Sequence, residues 1–417
     1  MKFKSITFLL LILLLLTSCV SINRNHIDKQ EIGAWGPIVY KTIKASNIYY
    51  LTQEKQPDIK LEVKTTRISD QLFLYPSVPL KIGITCQLII DGNSEPVVNV
   101  FIVREPCLVY LGDPGGQSEI WKKCPGQEPL QLTKTDGKVQ NLTVSRLGEL
   151  IFFTVINESN GADIWQVKPD GSGTKKLLDC SESTCSDLDF SPMTGKLAFV
   201  QTNDKQQIKI LDLNDETMID NQDSGSELKF SPNGQYLSFL DKSSNELTII
   251  DLFKMKRIAQ QSGAGLVGEW ARDSQSILFG QMDYWGGIPG VNVFSLDIKS
   301  GELKPLLTSR NQELEFYQPV YTGESGVYLV SVRQRNTGSN KQLWLIKEGG
   351  EVVKEIIDDS LYYYSSQSWN SDYSKLVFQR YPINTSDGVP QVVVWNQSPD
   401  TFQVIADNAA KPLWLPQ

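Results

Sequence analysis

Histidine is the scarcest of the side chains that carry nucleophilic or metal chemistry. The 417 residues contain one, His26, in a polar stretch near the N-terminus. Ser-His-Asp and Cys-His catalysis need an imidazole within hydrogen-bond reach of the nucleophile, and many zinc sites are built on histidine. We therefore predict neither kind of catalytic centre, no metal site and no cofactor.

The charged side chains exclude another class of function. The chain has 48 acidic residues against 40 Lys and Arg, a formal charge of −8, and no basic block. Affinity for DNA or RNA comes largely from clustered Lys and Arg that neutralise phosphates. The composition therefore predicts no nucleic-acid partner.

Carboxylates are abundant enough to leave one catalytic hypothesis open. Two acids about 5–10 Å apart suffice for a glycosidase. Nothing in the spacing of the acids selects such a pair. Glu269 occupies a position that recurs at Asp189 and Lys229, at steps of forty residues, which favours a structural role. We predict a protein that is not an enzyme, with glycosidase-like activity on a glycan as the alternative.

Aromatic and arginine side chains concentrate in three long loops, at residues 280–290, 332–341 and 379–390. Side chains of these types dominate binding hot spots because they combine a large apolar area with directed polar groups. The alternative is that the loops are merely long and variable. We predict one partner-binding surface, on which the arginines favour an anionic partner, formed by Tyr284, Trp285, Arg333, Arg335, Arg380 and Tyr381.

The N-terminus predicts an extracytoplasmic address. Lys2 and Lys4 precede a short apolar run, which is typical of a secretory signal peptide and too short for an easy membrane crossing. The next residues, Leu16-Thr17-Ser18-Cys19, resemble the lipobox of bacterial lipoproteins. In that class cleavage precedes the Cys, whose sulfur carries a lipid with acyl chains such as palmitate. The alternative is an ordinary signal peptide with an incidental Cys.

The other cysteines fit an oxidising compartment. Cys107 and Cys124 flank a hairpin that is symmetric about a Gly-rich turn, which places them opposite each other. Cys180 and Cys185 enclose a four-residue loop. We predict two disulfides, Cys107–Cys124 and Cys180–Cys185, with Cys86 left as a small buried hydrophobic residue.

The elements that must position these residues repeat along the chain. The segments LDFSPMTGKLAFV, LKFSPNGQYLSFL and GEWARDSQSILFG recur at a step of forty residues. Such a period of strand-like segments is typical of a β-propeller. The first repeated column continues at Val144, Val320, Trp369 and Trp414, and the second at Phe153, Leu329 and Phe378. We expect the column residues to be core.

The two ends of the repeat region complement each other. The hairpin from Cys107 lacks a preceding inner strand, and the C-terminal PLWL lacks a following hairpin. Joining them closes the ring and removes exposed sheet edges. We therefore predict an all-β fold with seven blades, closed by the C-terminal strand, while six or eight blades remain possible.

The strings FSPMTGKLAFV, FSPNGQYLSFL and VKPDGSGTKKLL resemble the repeats of TolB-like β-propeller proteins, over roughly residues 105–417. This family includes periplasmic scaffold proteins, non-catalytic propellers of prolyl-oligopeptidase relatives and metal-dependent pectate-type lyases. It supplies no catalytic motif to transfer. The chain departs from the second group by lacking a hydrolase domain, and from the third by lacking a histidine for the metal.

These observations predict four segments: a signal peptide (1–18), a tether (19–46), a small β domain (47–104) and the propeller (105–417). We expect a lipoprotein anchored to a membrane through Cys19, whose propeller binds an envelope protein or a glycan. The resemblance to lipoproteins, with Val20 rather than Asp after the Cys, implies the periplasmic face of the outer membrane. In a single-membrane cell it implies the outer leaflet of the cell membrane.

Overall fold

The structure is a computed structural model. It describes residues 29–32, 38–41, 48–53, 56–68, 71–76, 80, 85–90, 99–103, 105–114, 116–145, 148–191, 194–220, 223–241, 243–285, 288–308, 313–335, 340–357, 361–370, 373–383 and 388–415. The predicted signal peptide and Cys19 lie outside these residues. In the described part of the chain, no helix is long and apolar enough to cross a membrane.

The chain divides into two compact units, Met1–Arg104 and Glu105–Gln417. The first unit contains a seven-stranded sheet with the order β1-β7-β6-β3-β4-β5-β2. Strand β1 pairs with β7 in parallel. The core of this unit contains the buried side chains of Ile38, Leu51, Leu74 and Leu88. The strands are β1 (Lys29–Ile32), β2 (Ile38–Lys41), β3 (Tyr49–Gln53), β4 (Gln56–Ile68), β5 (Gln71–Pro76), β6 (Thr85–Ile90) and β7 (Asn99–Val103).

Two of these strands lie in the segment predicted as a tether. Strands β1 and β2 fall within residues 19–46, so the sheet recruits segments that lie before residue 47. Four residues suffice for a strand, and each of the two pairs along its whole length, β1 with β7 and β2 with β5. Ile38 is fully buried in this sheet, which the polar residues around it in the sequence do not indicate.

The second unit is all β and forms a propeller. Its first blade contains β8 (Cys107–Gly112), β9 (Glu119–Lys123) and β10 (Leu130–Gln131). An eight-stranded sheet follows, made of β11 (Val139–Val144), β12 (Ile151–Ile156), β13 (Ala162–Val167), β14 (Lys175–Leu178), β15 (Thr184–Phe190), β16 (Lys196–Thr202), β17 (Gln206–Asp212) and β18 (Thr217–Asp220). A single parallel pair, Ala162 with Thr184, connects its two halves.

Four more four-stranded blades complete the ring. They are β19 (Ser226–Phe230), β20 (Tyr236–Asp241), β21 (Glu246–Asp251) and β22 (Lys256–Ser262); β23 (Ala264–Trp270), β24 (Ser276–Trp285), β25 (Ile288–Asp297) and β26 (Leu303–Leu307); β27 (Leu314–Tyr321), β28 (Val327–Gln334), β29 (Gln342–Lys347) and β30 (Val352–Ile357); and β31 (Tyr362–Trp369), β32 (Lys375–Pro382), β33 (Gln391–Asn396) and β34 (Thr401–Asp407). The propeller thus shows five four-stranded blades beside the eight-stranded sheet.

The last strand, β35 (Ala409–Leu415), pairs antiparallel with β8 and supplies the inner strand of the first blade. Trp414 faces Leu108 in this register. Directly before the strand, Asn408 donates from Nδ2 to Asp113 Oδ1 over 2.7 Å. The predicted closure of the ring by the C-terminal strand is confirmed.

Aromatic column residues pack between the blades, as expected. Phe152 and Phe190 stack with 5.1 Å between their ring centroids, although they belong to different halves of the eight-stranded sheet. Tyr236 of β20 and Trp270 of β23, in the following two blades, stack with 5.8 Å between their ring centroids. Burial of such aromatic side chains stabilises each blade against its neighbour.

One column prediction was wrong by one residue. Tyr321, rather than Val320, occupies the position of Phe190, because Tyr321 pairs with Tyr328 as Phe190 pairs with Leu197. Val330 then replaces Leu329 in the second column. Val320 and Tyr321 are both apolar, so the local pattern does not distinguish two registers that place opposite faces in the core.

Both predicted disulfides are confirmed, Cys107–Cys124 and Cys180–Cys185, and Cys86 is free and fully buried. The first disulfide joins β8 to the residue after β9. The second encloses the turn before β15. Each therefore fixes a hairpin or turn that the ring uses.

Candidate functional site

The predicted partner-binding residues lie near the far ends of β24, β28 and β32, where each second strand turns into the third. Tyr284 is 67% exposed, near the end of a long β24–β25 ribbon paired from Ser276–Asp297 to Trp285–Ile288. The segment predicted as a loop therefore continues the blade as strand. The side chain of Trp285 lies outside the described residues.

Two of the three predicted arginines form side-chain hydrogen bonds within the propeller. Arg333 donates from Nε to Glu315 Oε2 over 2.8 Å and from Nη2 to Tyr317 Oη over 2.7 Å. Arg380 donates from Nε to Gln391 Oε1 over 2.6 Å. Its guanidinium also lies 4.4 Å from the ring centroid of Tyr362.

Arg335 is only 7% exposed, and its guanidinium packs against Gly290 of the preceding blade, where an added Cβ would lie 2.2 Å from Nη2. That the three arginines attract an anionic partner stays a prediction, and in this structure their contacts lie within the propeller. The loop pattern locates each arginine along the chain but not the direction of its side chain. The long aliphatic stem allows the side chain to lie along the blade rather than in solvent.

The last complete blade exposes a set of apolar side chains that sequence analysis found only in part. Tyr363 and Tyr381 face each other across β31 and β32 and are 55% and 45% exposed. Leu361 and Val389 are exposed beside the same strand ends. We call this set the aromatic patch: Leu361, Tyr363, Tyr381 and Val389. The run of three tyrosines at 362–364 was the available signal for the missed Tyr363.

A second candidate site lines the central channel, which the inner strands β11, β15, β19, β23, β27, β31 and β35 surround. In five of these strands a β-bulge places one non-glycine residue at positive φ: Asp187 (53°), Glu227 (57°), Gln318 (49°), Ser366 (56°) and Lys411 (50°). Backbone strain of this kind is retained where the surrounding structure enforces it, and it often accompanies functional sites.

Carboxylates in the channel link three successive pairs of inner strands, β15 to β19, β19 to β23 and β23 to β27. Asp187 Oδ2 accepts from the backbone N–H of Glu227, and Glu227 Oε2 accepts from that of Val267 over 2.9 Å. Two residues nearer the following turn, Asp189 Oδ2 accepts from Phe230 N over 2.6 Å. Glu269 Oε2 accepts from Tyr321 N over 2.7 Å. These bonds are the kind of structural contact predicted for Glu269.

The channel raises the pKa of two of these acids. Burial among the blades raises the pKa of Asp189 to about 6 and that of Glu269 to about 7. The neighbouring Lys229 lowers both pKa values, as do the backbone N–H groups that donate hydrogen bonds to the two carboxylates. Glu269 is accessible from the lumen, although it lies among the blades.

Lys229 lies in the inner strand between those of Asp189 and Glu269, at the equivalent position. It is exposed to the lumen and makes no ion pair with any residue that the structure describes. A cavity of about 670 Å³ opens around it, lined also by Glu269, Gln318, Ser366 and Ser368. A cavity of this size matches those that hold small organic ligands.

Near the channel, Arg272 contacts a residue from two blades further on. Its guanidinium lies 4.2 Å from the ring centroid of Tyr373. Gly323, in the turn of the intervening blade, allows this arrangement, because an added Cβ would lie 2.9 Å from Tyr373 Cδ2. Burial lowers the pKa of Arg272, against the opposing influence of Tyr373 and Glu269.

Within the described ranges, no group of three or more His, Cys, Asp or Glu side chains is arranged to hold a metal ion. The channel groups can instead bind a ligand through charge and hydrogen bonds, or exchange protons near neutral pH. The aromatic patch can provide apolar contact area. The two sites therefore suit different ligands.

Comparison with solved structures identifies other propellers. A prolyl endopeptidase structure aligns with 80% of this chain and 50% of its own, at 12% identity and a TM-score of 0.53. The propeller domain of the Trilobed protease from Pyrococcus furiosus aligns with 64% of this chain and 84% of its own, at 15% identity and a TM-score of 0.50. The shared feature is the fold.

TolB from Acinetobacter baumannii aligns with 88% of this chain and 82% of its own, at 13% identity and a TM-score of 0.44. TolB proteins are thus among the structural neighbours of this propeller. No protein-family model matches the sequence, and no curated protein matches it.

Proposed function

We propose that this protein is a lipid-anchored, extracytoplasmic β-propeller that binds an envelope protein or a glycan and is not an enzyme. The observation that carries the proposal is the aromatic patch. Tyr363 and Tyr381 are held side by side on paired strands with much of their surface in solvent. Tyrosine provides apolar area and a hydroxyl at little entropic cost, so a rigid pair suits a protein surface or a sugar ring.

The proposed anchor is a lipid on Cys19, supported by the residues before it and by the two disulfides. Disulfides persist in secreted and periplasmic proteins. Several acyl chains on one cysteine would hold the protein to a membrane, since each buried methylene contributes about 0.8 kcal/mol. The proposed location is the periplasmic face of the outer membrane, or the outer leaflet where there is one membrane.

We further propose seven blades. Each half of the eight-stranded sheet, β11–β14 and β15–β18, has the strand count of one blade. Two such halves and the five four-stranded blades make seven. The sheet of the first unit would serve as a spacer or a second contact surface, with the propeller beginning near residue 105.

Crosslinking of the lipidated full chain in its native envelope tests the binding proposal. We expect a discrete partner that is captured by the unmodified protein and lost with Tyr363→Ala/Tyr381→Ala. Phe253→Ala is the matched control, because Phe253 is an aromatic residue 73% exposed on a turn of another blade. Capture that is unchanged in the double variant would contradict a role for the aromatic patch.

The enzyme alternative keeps one specific observation in its favour, the raised pKa values of Asp189 and Glu269 on inner strands either side of Lys229. A general acid works best when its pKa lies near the working pH. Each carboxylate, however, uses one oxygen to bond the next blade, which favours a structural role. Glycan cleavage that is abolished by Asp189→Asn/Glu269→Gln would support the enzyme.

A further inference from the structure

We propose that the channel at Lys229 binds a small carboxylate-bearing molecule. This site lies on the inner strands of the propeller and is independent of the aromatic patch. Lys229 presents an ammonium group to the lumen and has no acidic partner within bonding reach among the described residues. Asp189 and Glu269 interact with this cation only over a longer range. Its hydrogen-bond donors are therefore available to a ligand carboxylate, and charge-assisted hydrogen bonds are among the strongest that proteins form.

The lining supports a ligand that also carries hydroxyl groups. Glu269 Oε1 has no hydrogen-bond partner among the described residues, since Tyr321 N binds Oε2. Ser366, Ser368 and Gln318 add neutral polar groups to the same cavity. These groups can exchange hydrogen bonds with hydroxyls while Lys229 holds the carboxylate.

The charge of the channel depends on pH. Four acids occupy the inner strands at equivalent bulge and post-bulge positions (Asp187, Asp189, Glu227 and Glu269), and three cations accompany them (Lys229, Arg272 and Lys411). With every group ionised, four acids against three cations give −1. When Asp189 and Glu269 are protonated, two acids against three cations give +1.

An anionic ligand should therefore bind more tightly as the pH falls. Protonation of Asp189 and Glu269 removes two repulsive charges and converts both groups into hydrogen-bond donors. Tyr373 stays neutral over this range, because burial raises its pKa. Asp187 and Glu227 each accept a backbone hydrogen bond from the next blade.

The test uses a matched pair of probes, D-gluconate and sorbitol, which differ only in that a carboxylate replaces one hydroxymethyl group. Their affinities for the full chain in detergent are measured by isothermal titration calorimetry at about pH 5.5 and about pH 8. We expect gluconate to bind, sorbitol to bind at least about tenfold more weakly, and gluconate affinity to be higher at the lower pH.

Lys229→Gln should weaken gluconate by about tenfold or more, whereas Lys229→Arg should retain most of the affinity. Lys256→Gln, an exposed lysine on an outer strand, is the matched control. The Asp189→Asn/Glu269→Gln variant should bind gluconate at about pH 8 as tightly as the unmodified protein binds it at about pH 5.5.

Three results would overturn the proposal. These are equal affinity for gluconate and sorbitol, no gluconate binding at the lower pH, and gluconate binding that is unchanged in a folded Lys229→Gln variant. A pH dependence that persists in the double variant would overturn the role of the two acids. Capture of a partner through the aromatic patch should be unaffected by Lys229→Gln, so the two proposals fail separately.

Discussion

Glu269 lines the cavity of the central channel and lies among the surrounding blades. Its pKa is about 7, against an ordinary value of 4.5, because the surrounding blades disfavour the charged form more than Lys229 and the Tyr321 N–H favour it. The same residue type on an outer turn would not experience this environment. At the residue scale, position within the ring therefore decides the chemistry of an acid.

Glu269→Gln should stabilise the protein at alkaline pH and leave it unchanged in acid. Between pH 4.5 and about 7 the folded protein binds more protons at this site than the unfolded chain, so ionisation reduces stability as the pH rises through this window. We expect a gain of about 1 kcal/mol above the window, since lumen water screens part of the effect. Urea unfolding at both ends of the window measures it.

Glu158→Gln, on an exposed turn of β12–β13 and outside the channel, is the control for this measurement. Glutamine keeps a carbonyl oxygen that can accept from Tyr321 N, so the blade-to-blade bond survives the change. A variant that loses stability at alkaline pH would contradict the assigned direction.

At the scale of elements, each blade is stabilised by strand pairing, aromatic stacking and, in two places, a disulfide. Cys107–Cys124 spans 17 positions and joins β8 to the end of β9, whereas Cys180–Cys185 spans five. Cys107 also pairs with Leu415 of the closing strand. The first disulfide therefore supports both its own hairpin and the closure of the ring.

Replacement of both Cys107 and Cys124 by serine should destabilise the propeller by about 2–3 kcal/mol. The shorter loop of Cys180–Cys185 should cost about 1 kcal/mol less, because a cross-link restricts the unfolded chain less when it encloses fewer residues. Thermal unfolding of the two double variants gives the comparison. The reverse order would show that native contacts, rather than loop length, dominate.

At the scale of the whole molecule, β35 converts a row of blades into a ring. It covers β8, which would otherwise be an exposed edge, and its Lys411 donates from Nζ to Gln140 O in the next inner strand over 2.8 Å. It also brings Pro412 and Leu413 into the wall of the channel cavity. The closing strand therefore contributes to stability and to the site together.

A chain that ends after Asn408 should unfold at a markedly lower temperature and associate through the free edge of β8. Limited proteolysis and size-exclusion chromatography would detect both effects. Trp414→Phe, which keeps the strand and most of its apolar area, is the control and should remain monodisperse. A truncated chain that is as stable as the full one would contradict the role of closure.

The sequence by itself determined the fold class, the closing strand and both disulfides, because each depends on local pattern and spacing. The forty-residue step, the strand-like columns and the unmatched fragments at the two ends require no knowledge of side-chain direction. The patterns were insufficient at Tyr321, where two adjacent apolar residues allowed two registers. They were also insufficient at β1 and β2, which are too short to stand out.

Only the tertiary structure decided where the chemistry lies. The arginines expected to face a partner turn toward Glu315, Gly290 and Gln391, since a loop position does not specify the path of a long side chain. Asp189, Lys229 and Glu269 are forty residues apart in the chain and meet around one channel. The closing of the ring brings them together, and the blades around them change their desolvation and charge, which no local pattern contains.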